Sequence, residues 1–271
     1  MLSHVHMAKS LQFQLQRKMQ ILTSNIANIT SPGFKRKVVR LESTMPSGPL
    51  EETIAYLDNH KDYLDLFKKK QRMPEYGSPV RIIEIRRDYT PGTLEVTNRD
   101  TDLAITNGPG FFQFRTPDGA IKYSRGGNLA VDYDGNLVDQ NGNPLEPAIR
   151  LPRGYTNLVI TEEGRVFAQI YNDTKQREIG QITLATFKRP EELADVGQNL
   201  MKATPYAGEP VVKIPGEEEA GKIAQGSLEL GNVNILDQMM EIVLVTRMFH
   251  MIAGAQSGVH KMMKVGADLK L

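Results

Sequence analysis

Cysteine is absent from the 271 residues of the chain. This absence excludes disulfides, thiolate nucleophiles and cysteine-based metal sites. Long hydrophobic runs are missing too, and no segment approaches the roughly 18 apolar residues of a membrane helix, so we expect no direct membrane insertion. Polar residues from Gln12 to Lys18 interrupt the N-terminal segment, which lacks the apolar core of a secretory signal. These features favour a cytoplasmic protein or one exported without a cleaved signal peptide.

Acidic residues are missing from the first 40 positions, while the whole chain has a net charge of +1. The basic residues of this arm are Lys9, Arg17, Lys18, Lys35, Arg36, Lys37 and Arg40. Such an arm is one hallmark of nucleic-acid binding, and salt-sensitive retention on DNA would favour that alternative. The basic residues alternate with regularly spaced apolar ones, however, which indicates the polar side of a helix. We therefore expect no nucleic-acid partner.

Recognisable catalytic motifs are also missing. The chain has neither H-E-x-x-H nor G-x-S-x-G, and His4 and His6 are two apart, so they do not share a helical face. The segment Asp132–Asn136 is similar to the start of a calcium-binding loop, but its glycine comes too early and no glutamate stands at the end of the loop. We predict no catalytic residues, no cofactor, no metal and no enzymatic activity. A β-domain enzyme with paired carboxylates stays open as an alternative.

Helical periodicity marks both ends of the chain. Near the N-terminus, apolar residues recur every three or four positions, and Ser31-Pro32-Gly33 ends the pattern. These residues are Ala8, Leu11, Leu15, Met19, Leu22, Ile26 and Ile29. A second long pattern runs from about Ile235 to Met263, with Asn232 or Asn234 as the cap of its first turn. A shorter pattern within 50–70 predicts one or two helices.

The middle of the chain follows a period of two, typical of strands. Ile83 and Ile85 precede Pro91-Gly92, with Leu94 and Val96 beyond it, which predicts a hairpin through a type II turn. Short strands then alternate with Asp118-Gly119, Asp134-Gly135 and Asn141-Gly142 as turns. The predicted strands are Leu103–Ile105, Phe111–Phe114, Ile121–Tyr123, Leu129–Val131, Leu137–Val138, Leu158–Ile160, Val166–Ile170 and Ile182–Phe187. Residues 203–226 are rich in Gly, Pro and Glu and predict a long loop.

The apolar residues of the C-terminal pattern occupy more than one narrow stripe. Because isolated helices depend on burying an apolar face, neither end helix should be stable alone. One partner helix would leave part of this surface exposed, so we expect several neighbours, as in an oligomer or filament. The alternative is an intramolecular helical hairpin that covers the β body.

Four segments of the chain form a set of motifs in a fixed order. The first is S-N-I-A-N-I-T-S-P-G-F-K-R at 24–36, and the second is D-L-A-I at 102–105 followed by G-P-G-F-F at 108–112. The third pairs Y-S-R-G-G at 123–127 with D-G-N-L-V at 134–138, and the fourth is G-S-L-E-L-G-N-V-N at 226–234. Together they resemble the rod and hook proteins of the bacterial flagellar axis.

The chain departs from the family pattern in three places. Members of the family usually begin with a stretch of small residues that ends in Ser/Thr-Gly-Met, and this chain has His4–Ser10 there instead. One extra residue lies between Ile105 and Gly110, and 44–79 is a longer, partly helical insertion than a minimal member would need.

The resemblance implies a structural subunit of the basal-body rod that polymerises through its terminal helices and transmits torque, with a hook-type subunit as the alternative. Its implied partners are copies of itself, neighbouring rod and hook proteins, and the flagellar type III export apparatus. Its implied location is the rod, which crosses the periplasm. The expected fold class is mixed α and β, with long N- and C-terminal helices forming a coiled-coil-like layer around a central all-β antiparallel body.

From the same reasoning we expect four segments. Residues 1–30 and 232–271 form a terminal helical domain, 31–79 a bridging linker with a partly helical insertion, 80–202 the β body, and 203–231 a return loop. The residues expected to act in packing and assembly are Leu11, Leu15, Met19, Leu22, Asn25, Ile26, Asn28, Gly33, Phe34, Asn232, Val233, Ile235, Met239, Ile242, Phe249, Ile252 and Val259.

Overall fold

The computed structural model describes residues 2–43, 80–171, 175–217 and 220–268. The helices predicted within 50–70 lie outside these residues. In the described part, helix α1 spans Leu2–Ala27 and helix α2 spans Ile235–Asp268, with a short 3-10 turn at Pro190–Glu192. The strands are β1 (Lys37–Ser43), β2 (Val80–Arg87), β3 (Leu94–Val96), β4 (Leu103–Thr106), β5 (Phe112–Arg115), β6 (Ile121–Ser124), β7 (Ala130–Val131), β8 (Leu137–Val138), β9 (Tyr155–Ile160), β10 (Arg165–Ile170), β11 (Arg177–Gln181), β12 (Leu184–Thr186), β13 (Ala194–Gly197), β14 (Leu200–Lys202), β15 (Val211–Lys213), β16 (Lys222–Gln225) and β17 (Ser227–Glu229).

Both helix boundaries have local causes. Beyond α1 the chain turns, and Gly33 has φ +68°, a left-handed conformation that glycine adopts without the steric cost of a Cβ atom. At the start of α2 the backbone N–H of Leu236 donates a 3.0 Å hydrogen bond to Oδ1 of Asn234. This bond satisfies one of the free N–H groups of the first turn. Asn234, rather than Asn232, is therefore the cap of α2.

The central body consists of small antiparallel sheets. The largest has the strand order β13-β14-β6-β5, and the next has the order β11-β10-β9. Pairs β12-β15, β16-β4, β17-β3 and β7-β8 complete the body, while β1 pairs with β2. Glycines 119, 135 and 142 have positive φ angles of 77°, 88° and 81°, so the Asp-Gly and Asn-Gly segments form turns as predicted.

Two apolar clusters hold the β body together. The larger cluster joins buried side chains from most strands of the body. Five of its members are fully buried: Phe112, Phe114, Leu137, Leu145 and Leu184. The smaller is aromatic. In it the ring of Phe187 packs edge-to-face on Phe111 at 5.8 Å and on Tyr123 at 4.8 Å between ring centroids. Such edge-to-face pairs add directional attraction to area burial.

The predicted hairpin through Pro91-Gly92 is wrong. Strand β2 pairs with β1 and strand β3 pairs with β17, so the two runs do not pair with each other. Gly92 does not have the positive φ that a type II turn requires. The glycine serves a different purpose, because a Cβ atom there would lie 1.9 Å from the carbonyl oxygen of Leu230. The glycine at position 92 is therefore explained by its close approach to Leu230 and not by the geometry of a turn.

The predicted long loop at 203–226 contains two strands. Strand β15 pairs with β12, and β16 pairs with β4 in the register Lys222↔Thr106 to Gln225↔Leu103. The segment thus returns the chain along β12 and β4. Partner strands from elsewhere in the sequence override the local signal of Gly and Pro.

The structure divides into two compact units. One comprises the described residues of Met1–Leu22, Val39–Ile85 and Met239–Leu271, and the other those of Thr23–Val38 and Arg86–Gln238. In the first unit, Leu15, Leu22 and Val245 are buried where α1 meets α2. Partly buried residues packed on these three are Leu11, Met19, Ile242, Phe249 and Ile252.

The predicted coiled-coil-like terminal layer is wrong, although a β central body fits. In the described part there is one helix at each end, and their contact buries only three apolar side chains completely. A coiled coil needs a continuous seam of such residues in both helices. The apolar residues of α2 are spread around the helix instead, and Leu236, Met240 and Leu244 are 58–71% exposed.

Candidate functional site: a buried charged junction

The carboxylate of Glu229, at the end of β17, lies at the centre of a buried junction. Oε1 accepts hydrogen bonds from Nζ of Lys35 at 2.6 Å and from the backbone N–H of Gly92 at 2.9 Å. Oε2 accepts from Nε of Arg125 at 3.1 Å and contacts its Nη2 at 2.9 Å. Four donors therefore surround one carboxylate that is 3% exposed.

Arg125 uses its whole guanidinium group in this junction. Besides its two contacts with Glu229, Nη1 donates to the carbonyl oxygens of Gly108 at 2.7 Å and Gly110 at 2.9 Å. Nη2 donates to the carbonyl oxygen of Ile105 at 3.3 Å. The guanidinium thus donates four hydrogen bonds, and its Nη2 makes one further ion-pair contact with Glu229. Such extensive pairing is what makes a charge tolerable in the interior.

The second cation, Lys35, is 0% exposed. Its ammonium group also donates to the carbonyl oxygen of Thr90 at 2.8 Å. Burial lowers the pKa of Lys35, since it disfavours the charged form; Glu229 opposes this effect and the charge of Arg125 adds to it. Burial alone would raise the pKa of Glu229, but Arg125 and Lys35 outweigh it, so this pKa lies below its usual value.

Gly33 lies where the chain after α1 passes the Arg125 segment. A Cβ atom at Gly33 would lie 2.1 Å from the backbone nitrogen of Gly126 and 2.4 Å from the carbonyl carbon of Arg125. The N–H of Gly33 donates to the carbonyl oxygen of Glu229 at 2.7 Å. Only glycine fits both the positive φ and this close approach. Phe34, the next residue, is 4% exposed.

Two asparagines tie the surrounding backbone together. Asn25 accepts from the N–H of Lys37 at 2.9 Å, and its Nδ2 donates to the carbonyl oxygen of Lys37 and to Oε1 of Gln238 at 2.9 and 3.0 Å. Asn232 accepts from the N–H of Arg36 at 2.8 Å, and its Nδ2 donates to the carbonyl oxygen of Asp88 at 2.8 Å. These side chains act as backbone mimics that join segments distant in sequence.

The remaining predicted residues lie in several places. Asn28 donates to the carbonyl oxygen of Ser24 at 2.8 Å, Val233 is 7% exposed, and Ile26 is half-buried. Ile235 and Met239 are exposed, at 45% and 55%. The side chain of Val259 lies outside those the structure describes. The structure thus brings Asn25, Gly33, Phe34, Asn232 and Val233 into the unit that holds the junction. The assembly role predicted for these residues stays a prediction.

Sequence reasoning missed the charged residues at the centre of the junction. Lys35, Arg125 and Glu229 each lie inside one of the motif segments, but none was predicted as a site residue. The available signal was the single charge of Arg125 in 123–127 and of Glu229 in 226–234, whereas Lys35 is followed directly by Arg36. Opposite charges in such runs indicate buried ion pairs only when the fold brings the segments together.

The described residues contain no group of three His, Asp or Glu side chains arranged to hold a metal ion. Within that same part of the chain, neither helix has a stretch both long and apolar enough to cross a membrane.

The chain is similar in sequence to structural proteins of the flagellar axis. A family model described as the flagellar hook protein FlgE/F/G D1 domain matches residues 104–168. The flagellar basal-body rod protein FlgG of Buchnera aphidicola subsp. Schizaphis graminum is 31% identical over 234 residues, 86% of each chain. FlgG of Agrobacterium fabrum is 31% identical over 239 residues, 87% of each chain, and FlgG of Borreliella burgdorferi is 28% identical over 264 residues, 94% of each chain.

The chain belongs to the flagellar basal-body rod protein family. It is a structural rod subunit and not an enzyme, and its family belongs to the flagellum. The recognition made from the four sequence motifs is confirmed, and a hook-type subunit is not better supported.

Proposed function

We propose that the chain assembles with copies of itself and with other axial proteins by covering the exposed apolar surface of α2. The observation that carries this proposal is a set of large apolar side chains on α2, each 50–71% exposed. These side chains are Leu236, Met239, Met240, Val243, Leu244 and Met251. They are called the α2 surface below.

The α2 surface groups six large apolar side chains, each at least half exposed, on one helix. Soluble monomers rarely expose contiguous apolar patches beyond a few hundred Å². Covering one such side chain contributes about 1.5–3 kcal/mol relative to full exposure. Methionine, present here three times, adapts to differently shaped neighbours. A neighbouring subunit is the occupant that membership of the rod family supports.

The junction around Glu229 supplies the rigidity that torque transmission requires. Packed, fully hydrogen-bonded interiors deform little. Asn25, Gly33, Phe34 and Asn232 position the chain between α1 and the β body, so their contribution is to assembly geometry and not to catalysis. The other predicted packing residues contribute apolar contact to the helices.

Location and export follow from the same proposal. The subunit lies in the rod, which crosses the periplasm, and reaches it through the flagellar type III apparatus without a cleaved signal peptide. The terminal helical domain at 1–30 and 232–271 provides the contacts, and the β body at 80–202 remains folded in the unassembled subunit.

Association of the purified full-length chain tests the proposal. Sedimentation velocity across a concentration series should show reversible association of the unmodified chain. The double variant M240E/L244E should remain monomeric, because charges on the α2 surface oppose its burial. Its thermal unfolding curve should match that of the unmodified chain at concentrations where the unmodified chain is also monomeric. H250E is the matched control, since it places the same residue at an exposed polar position of the same helix.

The control should associate like the unmodified chain and restore motility to a strain that lacks the subunit. Normal association and motility of M240E/L244E would refute the role of the α2 surface.

A further inference from the structure

Strand β3 has one edge without a partner strand. The backbone N–H of Thr97 donates a 2.8 Å hydrogen bond to the carbonyl oxygen of Gly226, directly beyond the β3–β17 pairing. Residues of an antiparallel strand alternate between bonding to the partner and facing away from it. Leu94 and Val96 therefore turn their N–H and C=O groups away from β17. These groups are called the β3 edge, and within the part of the chain that the structure describes β3 pairs with no second strand.

Strand β15 has the same kind of edge. Its neighbour β12 is already bonded on its far side, because Ala185 exchanges two 2.9 Å backbone hydrogen bonds with Phe111. Ala185 lies opposite Val212 in the β12–β15 register, so Val212 turns its N–H and C=O groups away from β12. These two groups are called the β15 edge. Among the described strands, β15 pairs with β12 alone.

Both edges are apolar and unprotected. Leu94, Val96 and Val212 are 46–69% exposed, and β3 and β15 pair with their neighbours in a continuous register. The edge strands β11 and β13 differ, because their pairings contain register shifts and β11 begins with Arg177 and Glu178. Bulges and charges are the usual protection of a sheet edge against pairing with another chain. The β3 and β15 edges are therefore suited to accept a further strand.

The residues beside the two edges match in charge. If Val96 pairs antiparallel with Val212 of a second copy, position 95 lies opposite position 213. These positions hold Glu95 and Lys213, and opposite charges across two strands stabilise a sheet. Two copies of the β3 edge would instead place Glu95 opposite Glu95, and like charges directly opposite are destabilising. The charges thus favour the contact between unlike edges.

Contact between unlike edges also has the symmetry of an extended assembly. Each copy would use its β3 edge toward one neighbour and its β15 edge toward another. Such a heterologous contact continues from copy to copy, whereas a contact between two like edges closes at a dimer. A subunit of a rod requires the continuing kind of contact.

We propose that the β3 edge of one copy pairs antiparallel with the β15 edge of a neighbouring copy, with Val96 opposite Val212. The same register places Leu94 opposite Ile214, which is 44% exposed, so the contact is apolar on one face and charged on the other. This inference rests on the part of the proposed function in which copies of the chain assemble. It goes beyond that function by naming a second contact, which lies in the β-body unit.

Disulfide crosslinking of the full-length chain tests this contact, because the chain has no cysteine of its own. In the proposed register, positions 95 and 213 form a non-hydrogen-bonded pair with Cα atoms about 4.5 Å apart, a separation that a disulfide can span. Oxidation of an assembled mixture of E95C and K213C chains should link the two, as mapped by mass spectrometry. E178C is the control, since Glu178 is exposed on the edge strand β11, and it should not link to K213C.

A chain that carries both E95C and K213C distinguishes an extended assembly from a dimer. The heterologous contact should give a ladder of disulfide-linked species longer than two chains. Disulfides found only between like positions, 95 with 95 or 213 with 213, would overturn the inference in favour of a closed dimer.

A charge exchange provides a second measurement that does not depend on thiols. E95K and K213E should each weaken association about tenfold in sedimentation velocity, because each places like charges opposite one another. The double variant E95K/K213E should restore association to within about threefold of the unmodified chain, a result that misfolding of the single variants would not give. The control E178K should associate like the unmodified chain. A double variant as weak as the single ones would overturn the pairing.

The outcomes separate this inference from the proposed function. If the unmodified chain associates and no disulfide joins positions 95 and 213, the inference fails and the proposed function stands. If that disulfide forms and M240E/L244E associates normally, the α2 surface is refuted and the inference stands. If the unmodified chain does not associate at all, both fail.

Discussion

Nζ of Lys35 lies 2.6 Å from Oε1 of Glu229, and these two side chains are 0% and 2% exposed. The residues are 194 positions apart, so their contact joins the segment after α1 to the segment before α2. Arg125 adds a third charge from the middle of the chain. One buried carboxylate therefore links three of the four sequence motifs.

Removing the charge of Glu229 should destabilise the β-body unit strongly. E229Q leaves Lys35 and Arg125 buried without a counter-charge, and breaking a buried ion pair in this way costs about 3–5 kcal/mol. Urea unfolding of the full-length chain measures the change. E162Q is the matched control, because the Glu162–Lys222 pair has a similar 2.8 Å contact but is exposed. Equal stability of the two variants would contradict the importance of burial.

Adding a single methyl group at Gly33 should destabilise the folded protein more than the same change at another glycine of similar φ. G142A tests the backbone conformation alone, since φ is +81° and nothing lies within 4 Å of its Cβ position; this cost is about 1–2 kcal/mol. G33A adds the clash with Gly126, worth about 1–3 kcal/mol more. Thermal unfolding of both variants measures the difference. If G33A were no worse than G142A, the close packing at Gly33 would be refuted.

Acid should weaken the β-body unit through Asp195. Burial alone would raise the pKa of Asp195, but the hydrogen bond from Lys37 and the charge of Arg87 outweigh it and hold the pKa at about 2, below the usual 3.8. Because the folded pKa is the lower one, the stabilisation is present above pH about 4 and is lost as pH falls toward about 2.

D195N should therefore show a flatter dependence of unfolding free energy on pH in that window, measured by denaturant titration at several pH values. V196T changes the next residue without altering any charge and should follow the unmodified chain. A D195N profile parallel to the unmodified one would rule out this linkage.

Truncating Leu15 should loosen the helical unit. Leu15 is 0% exposed, and L15A should cost about 2–5 kcal/mol, since it leaves a cavity between α1 and α2. Hydrogen exchange should accelerate in both helices and not in β4–β6. F13A is the control on the same helix, because Phe13 is 61% exposed. Unchanged exchange in L15A would mean that α1 and α2 do not depend on this contact.

Much of the chain was predictable because local rules apply there. The period of Leu11, Leu15 and Leu22 identified α1, and Asp-Gly and Asn-Gly pairs identified turns with positive φ at Gly119, Gly135 and Gly142. The four motifs identified the family. Each of these signals acts within a few residues, so one sequence carries it completely.

Tertiary structure decided the rest. The charges of Lys35, Arg125 and Glu229 are unremarkable until three distant segments meet, because an ion pair is defined by distance in space and by exclusion of water. The sequence Pro91-Gly92 predicted a turn, yet glycine is required at position 92 because the carbonyl oxygen of Leu230 leaves no room for a Cβ atom. The same limit explains the error at the helical ends. Periodicity shows that a helix has an apolar face, whereas the extent to which another surface covers that face depends on the folded neighbours.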